Sequence, residues 1–212
     1  MTSVQAVIFD FDGTLYAMKG VYKLIFAAFC FPRVAYLPRY MRIRQQFIGD
    51  DFGSREAMEA AFCEAFLKQY GVEDASYWIK NSFSTSFIRT LRFMRNRPEY
   101  ETILPALRKK GIRTVLFSDF GLIESRLRAL GLQPELFDHI LSAEDLGALK
   151  PAPRAFQTIR KRLQLPAKNI LVVGDRLDTD GAAAQQEGMP FLQVRGKDNR
   201  NWDALARRLA AL

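Results

Sequence analysis

The sequence predicts an α/β fold: a Rossmann-like parallel sheet covered by helices on both faces, with an inserted, mainly α-helical cap domain. Three observations predict it. Short apolar, β-branched runs recur and end in polar residues, helical patterns alternate with them, and one long interval, residues 16–97, breaks the alternation with helical spacings and no strand. At 212 residues the chain accommodates one full α/β domain and a smaller insert, not two large domains.

The first run, VQAVIF at 4–9, reads as a buried strand delivering Asp10 at its carboxyl end. IRTVLF at 112–117 leads to Ser118-Asp119, FDHIL at 137–141 to Ser142, and NILVV at 169–173 to Gly174-Asp175, with a fifth candidate at 191–194. Helices are expected at 122–130, closed by Gly131, at 153–163, at 181–187, closed by Gly188, and at 203–212. In such a sheet ligands bind outside the carboxyl ends of the strands, where these polar residues fall. Core domain segments 1–15 and 98–212 therefore flank a helical insert at 16–97.

Within the insert, Ser54 caps a helix whose apolar positions Met58, Ala61, Phe62, Ala65 and Phe66 recur at three and four residues, with Gly71 beyond its end. A second helix follows Asp74, carries Phe83, Phe87, Leu91 and Met94 on one face and stops before Pro98. Both stripes read as core, whereas Phe47, Phe52 and Trp78 are candidates both for lining a pocket and for the insert's own core, which needs most of its aromatic residues, and are assigned to neither. Pro105 removes a backbone donor where a single helix would otherwise be drawn, so a kink or a late start is expected there.

Composition bounds the function. Hydrophobic residues make up 49% and charged residues 25%, values of a folded chain rather than a disordered or disulfide-scaffold one. Cys30 and Cys63 stand singly, with no metal or redox spacing, and read as buried reduced thiols. The apolar stretch 24–31 is far shorter than the roughly 20 residues of a membrane span and reads as a helix face packed within the protein. The opening MTSVQAVIFD runs directly into a strand pattern, which points to a cytoplasmic address. The net charge of +8 attracts anions over about 10 Å at ordinary salt. That suits a phosphorylated substrate, and equally nucleic acid or an acidic membrane, but the basic residues are scattered.

The hexapeptide Asp10-Phe11-Asp12-Gly13-Thr14-Leu15 places two carboxylates two positions apart at a buried strand end, where carboxylates need a metal ion or hydrogen-bond donors. Gly13 permits a tight turn after the second. Ser118, the Lys150-Pro151 pair and the cluster of Gly174-Asp175 with Asp178 and Asp180 lie at or soon after other strand ends. Converging carboxylates suit Mg²⁺, and a lysine and a hydroxyl suit phosphate. Together they supply a nucleophile, a proton donor and positive charge, the needs of attack on a phosphoryl group.

In these motifs the chain resembles the haloacid dehalogenase superfamily, over residues 4–15 and about 98–194. DFDGTL at 10–15 is similar to that family's first motif, Ser118 to its second, Lys150 in LGALKPAP to its third, and GDRLDTDGAAAQQEGM at 174–189 to its acidic fourth. The resemblance implies that Asp10 attacks phosphorus to form an aspartyl-phosphate while Asp12 protonates the leaving group and later activates water. It implies that Ser118 and Lys150 hold the phosphoryl oxygens. Mg²⁺ would be held by Asp10, the backbone carbonyl of Asp12, and Asp175, with Asp180 as ligand or behind one, whereas Asp178 reads as a surface residue. Family members that cleave carbon–halogen bonds lack an acid at the position of Asp12, so dehalogenation is disfavoured, and the insert at 16–97 stands where a helical cap selects the substrate. Two departures are Arg176, where a small hydroxyl residue is frequent, and Asp119 after Ser118, where Asn is usual.

The leading expectation is thus a Mg²⁺-dependent phosphatase for a small phosphorylated metabolite. A phosphomutase shares the aspartyl-phosphate, and a non-catalytic module using a basic cap to bind nucleic acid, membrane or protein is the rival of another class. The Arg-rich stretches 39–44 and 89–97 fit nucleic acid, solvated helix faces or an acidic-substrate funnel. The single histidine, His139, lies in a strand pattern and reads as structural.

Overall fold

The computed structural model describes residues 4–17, 20–94, 96–97, 99–194, 207 and 209. Strands β1 (Ala6–Asp10), β2 (Arg113–Ser118), β3 (His139–Ser142), β4 (Ile170–Gly174) and β5 (Phe191–Gln193) form one parallel sheet in the order β3-β2-β1-β4-β5. β1 and β4 are buried along their whole length, as strands covered on both faces must be, which is why their residues run apolar without alternation. Register sets Asp10 beside Phe117 and Phe9 beside Val173. The ends of β1, β2 and β4 therefore present Asp10, Ser118 and Gly174-Asp175 along one edge. β1 has β2 on one side and β4 on the other, so that edge is the point where the strand order reverses and a crevice opens. β3 begins at His139, not at Phe137; Asp138 is drawn out of the strand because its carboxylate accepts from the Thr114 backbone N–H at 2.7 Å and the Thr114 hydroxyl at 3.0 Å.

Between β1 and β2 the chain makes a helical excursion: α1 (Gly20–Phe29), α2 (Tyr36–Gln46), α3 (Arg55–Tyr70), α4 (Ala75–Tyr77), a π-helical stretch (Trp78–Phe83) and α5 (Ser84–Leu91). Its two ends are paired: Tyr16 bridges Asn96, and the Arg97 N–H donates to the Leu15 carbonyl at 3.0 Å. α3 forms as its spacing predicts, with the Ser54 hydroxyl accepting from the Ala57 N–H at 3.2 Å and Gly71 in the left-handed region at φ 64°. Met58, Phe62 and Phe66 are buried. They meet an aromatic cluster in which Tyr40 lies 4.6 Å from Phe83 and 5.9 Å from Trp78, ring centre to ring centre.

The second expected helix is interrupted by π geometry. Residues five apart on an α-helix point about 140° apart, whereas the wider π turn brings them closer to one face. Trp78 and Phe83 can thereby both enter the core, ahead of Phe87 and Leu91. Met94 is buried too, but beyond the helix end. α1 departs from expectation: none of its residues is buried, Leu24 is 72% exposed, and only a narrow edge packs, Phe26 lying 5.4 and 5.5 Å from Phe83 and Phe87. No helix among the described residues is long and apolar enough to cross a membrane. Of the two thiols, Cys30 is buried and Cys63 only half-buried.

The remaining helices are α6 (Glu99–Lys109), α7 (Ile123–Leu130), α8 (Ala143–Leu146), α9 (Pro153–Leu163) and α10 (Ala182–Gln186). α6 starts before Pro105 and runs through it. An interior proline costs about 3 kcal/mol, and burying Ile103, Leu104 and Leu107 at about 1.5–3 kcal/mol each outweighs that. α7 begins at Ile123, one residue later than expected, because Leu122 is left-handed at φ 52°. α10 is shorter than the expected 181–187, since residues Leu177–Gly181 form a π turn. The helix expected at 203–212 lies almost wholly outside the described residues.

Trp78 is fully buried among aromatic rings of α2, α3 and its own π-helical stretch. Trp78→Ala should therefore destabilise the protein by about 3–5 kcal/mol, read as a lowered midpoint in urea unfolding.

Candidate active site

The Lys150 ammonium has three N–H groups, and all three are used: it donates to Asp10 Oδ1 at 2.7 Å, Asp180 Oδ1 at 2.8 Å and the Phe117 carbonyl at 3.0 Å. The side chain is 2% exposed. Burial alone would lower its pKa, but the attraction of Asp10 and Asp180 outweighs burial and holds it above the ordinary lysine range. Asp10 Oδ2 accepts from the Thr14 hydroxyl at 2.9 Å. Burial pushes the Asp10 carboxyl well above its usual range against the pull of Lys150, and the negative charges of Asp180 and Asp12 add to the rise.

Asp175 follows β4 and packs against the turn after Asp12. Gly13 has φ 82°, and a Cβ there would collide with Asp175 Oδ2, so the position demands glycine for both reasons. Gly174 answers to Asp180 in the same way, an added Cβ falling 2.6 Å from its Cγ. Asp10, Asp175 and Asp180 bring carboxylate oxygens within 4.8 Å of one another. Burial first, then Asp180, raises the Asp175 pKa to about 6; burial likewise raises Asp180. Three carboxylates around one ammonium leave negative charge in a mostly buried place. That hard-oxygen donor set, short of positive charge, fits a divalent cation such as Mg²⁺.

The Asp12 side chain turns elsewhere. Its carboxylate accepts from both ends of one guanidinium nitrogen's reach, Arg126 Nη2 lying 2.5 and 2.7 Å from Oδ1 and Oδ2, and from the Tyr16 hydroxyl at 2.6 Å. Ser118 Oγ stands 3.4 Å from Oδ2 and accepts from Arg126 Nη1 at 2.8 Å and the Phe120 N–H at 3.1 Å. Arg126, on α7, is 2% exposed, with its guanidinium 4.1 Å from the centre of the Phe11 ring and 4.6 Å from that of Phe87. Sequence reasoning missed it. A lone arginine within a helical pattern carries no signal, and its partner lies 114 positions away. Thr14 and Tyr16 were missed as well, though Thr14 stands within the expected motif.

The candidate residues thus fall into two linked groups: Asp10, Lys150, Asp175 and Asp180 in one, Asp12 and Ser118 with Arg126 in the other. Asp178 is exposed and ion-paired to Arg176, which is also exposed and lines a cleft. Asp119 accepts from the Lys150 N–H at 3.3 Å and so steadies the segment that carries the ammonium. His139 sits at the amino end of β3, away from the site edge. The cleft, about 560 Å³, opens between α2 and the core beside Lys150 and Thr179. A second cavity of about 200 Å³, between α3, α5 and the Phe120–Leu122 loop, is lined by Arg126, and Asp10 lines neither this cavity nor the cleft.

Removing one partner of a buried ion pair costs about 3–5 kcal/mol, less where the orphan retains some solvent. Asp12 is 24% exposed, so Arg126→Met should cost about 2–3 kcal/mol in urea unfolding. Arg126→Lys should recover only part, because an ammonium lacks the planar fork that reaches Ser118 and Asp12 through two separate nitrogens and lies over the Phe11 ring.

Residues 4–188 match the haloacid dehalogenase-like hydrolase family. Phosphoglycolate phosphatase of Neisseria gonorrhoeae is 30% identical over 183 residues, 81% of this chain and 72% of that protein. Glyceraldehyde 3-phosphate phosphatase of Methanopyrus kandleri is 21% identical over 91% of this chain and 84% of that one. The Pyrococcus abyssi protein of the same name is 30% identical, but the match spans only 46% of this chain and 41% of its own length. In fold, the chain is similar to CbbY of Rhodobacter sphaeroides in complex with xylulose-(1,5)bisphosphate, at a TM-score of 0.66 and 20% identity over 91% of this chain and 87% of that one. With a match over nearly its whole described length and the family's motifs gathered at one sheet edge, the chain belongs to the haloacid dehalogenase-like hydrolases.

Proposed function

We infer that the protein is a Mg²⁺-dependent phosphatase that hydrolyses a small phosphorylated metabolite through an aspartyl-phosphate on Asp10. The observation that carries this reading is the seat of Asp10: a carboxylate at a buried strand end, held by Lys150 and Thr14 and facing Asp175 and Asp180. The relatives named as phosphatases support the same reaction class.

In the first step an Asp10 carboxylate oxygen bonds to phosphorus as the bond to the leaving oxygen breaks, and Asp12 gives that oxygen its proton. In the second, Asp12 takes a proton from water, the water oxygen bonds to phosphorus, and Asp10 is released. Ser118 and Lys150 hold the phosphoryl oxygens, Lys150 exchanging one of its three present bonds for the phosphoryl group. Arg126 and Tyr16 fix where the Asp12 carboxylate lies, and Arg126 ties it to Ser118. Asp10, the Asp12 backbone carbonyl and Asp175, with Asp180 as ligand or support, would hold Mg²⁺, which when bound neutralises charge on the transferring group. The helical excursion at 16–97 acts as a cap, excluding bulk water and reading the organic part of the substrate.

Phosphate release from a panel of phosphorylated metabolites should require Mg²⁺ and fall about 10³-fold or more in Asp10→Asn. Release that survives either change would overturn the mechanism. The raised Asp175 pKa, about 6 when folded, also sets a pH dependence. A raised acid favours the folded state while protonated, so metal-free protein should lose stability as pH rises from about 4 through that value. Because Mg²⁺ binds the ionised carboxylates, it should raise the melting temperature more at pH 8 than at pH 5. Equal shifts at both would contradict the assignment of these residues as the metal site.

A further inference from the structure

Arg42 and Arg176 have no part in the chemistry above, yet both line the cleft that leads to Lys150. Arg42 comes from α2 and Arg176 from the turn after β4, so two separate elements bring guanidinium groups to the lining of one cleft. Beside Arg42, α2 presents Met41 and Gln45, which four residues apart share one helix face, and Ile48 joins the lining just beyond the helix end.

The charges of the lining are unevenly committed. Lys150 is bound by Asp10 and Asp180, and Arg44 by Glu144 at 2.7 Å with only 9% of its side chain exposed. Arg42 is exposed and makes no ion pair among the described residues. Arg176 pairs with Asp178, but 49% and 63% of the two side chains are exposed, and an ion pair so open to water is worth about 0–1 kcal/mol and readily exchanged. Among the described residues, the only carboxylate lining the cleft is Asp119, which accepts from a backbone N–H. The cleft thus has an apolar and amide floor with two available guanidinium groups in a lining that also includes Lys150.

We propose that Arg42 and Arg176 form an anion subsite that selects phosphate esters carrying a second negative group, a carboxylate or a second phosphate, on a short organic body. The subsite deepens the phosphatase reading and rests on it for the placement of the first phosphate at Lys150 and Ser118. It also gives a role to the arginine placed beside the carboxylate cluster, whose side chain is half exposed and ion-paired to Asp178 rather than to Asp175 or Asp180. Guanidinium suits either anion, because its planar fork matches carboxylate and phosphate oxygens alike.

The test is equilibrium binding, which does not need turnover. The full chain with Mg²⁺ is titrated calorimetrically with methylphosphonate, phosphonoacetate and ethylene-bridged bisphosphonate. The two doubly charged ligands should bind at least about tenfold more tightly than methylphosphonate, the scale of one charge-assisted hydrogen bond, and the tighter of them identifies the second group as carboxylate or phosphate. Arg42→Gln and Arg176→Gln should each narrow that preference to under about threefold, with the pH 7 melting temperature as the control for folding. Equal affinity for all three ligands, or a preference that survives both substitutions, would overturn the subsite. Selective binding without phosphate release from any ester would leave the subsite standing and sink the phosphatase reading instead.

Discussion

The rest of the site depends on a single buried ammonium group. Lys150 lies between Asp10 and Asp180 and bonds to the Phe117 carbonyl as well, so it joins the ends of β1, β2 and the turn after β4. An uncompensated charge in such a place costs several kcal/mol, and Lys150 is stable there only because two carboxylates and a carbonyl take all three of its protons. The reverse also holds: Asp10 and Asp180, crowded by each other and by Asp175, need that positive charge. Mutual need fixes the geometry, and the glycines at 13 and 174 allow it, since a side chain at either would drive Asp175 or Asp180 out of place.

The helical excursion is tied to this centre unevenly. Arg55–Asp145 and Asp51–Arg154 join it to the core through exposed pairs, each worth about 0–1 kcal/mol. Arg44 is different. Largely buried, it lies 3.9 Å from the centre of the Phe120 ring, donates to the Asp119 carbonyl at 3.2 Å and pairs with Glu144, whose other oxygen accepts from the Gly121 N–H at 2.7 Å. The loop that follows Ser118 is thereby held from the helical side and the core side at once. Phe87 of α5 lies against Arg126 from the same direction. The helical layer is thus built into the positioning of Asp12 and Ser118, not merely laid over them.

What could be read from the sequence was what local pattern encodes. Apolar runs ending in polar residues marked four strands within a residue or two, and Ser54 and Gly71 marked the limits of α3 because caps act within one turn. Asp10, Lys150, Asp175 and Asp180 were legible as strand-end residues, and the sheet topology alone brings them together. Arg126 was not, because its significance comes from a partner 114 residues away and from stacking on Phe11 and Phe87. The π stretch at Trp78–Phe83 and the left-handed Leu122 were also hidden, since both answer to packing across elements rather than to local preference. α1 was misjudged for the opposite reason: apolar composition predicted burial, but none of its residues is buried, and Phe26 and Phe29 meet rings from only partly covered positions.

The central claim is that Asp10 itself takes up the phosphoryl group. Rapid mixing of the Mg²⁺-loaded protein with radiolabelled acetyl phosphate, followed by acid quench, borohydride reduction and peptide mapping, asks this directly. The account predicts transient, stoichiometric label whose reduction product falls at position 10. Phosphate release with no protein-bound label, or label at Ser118, would contradict it.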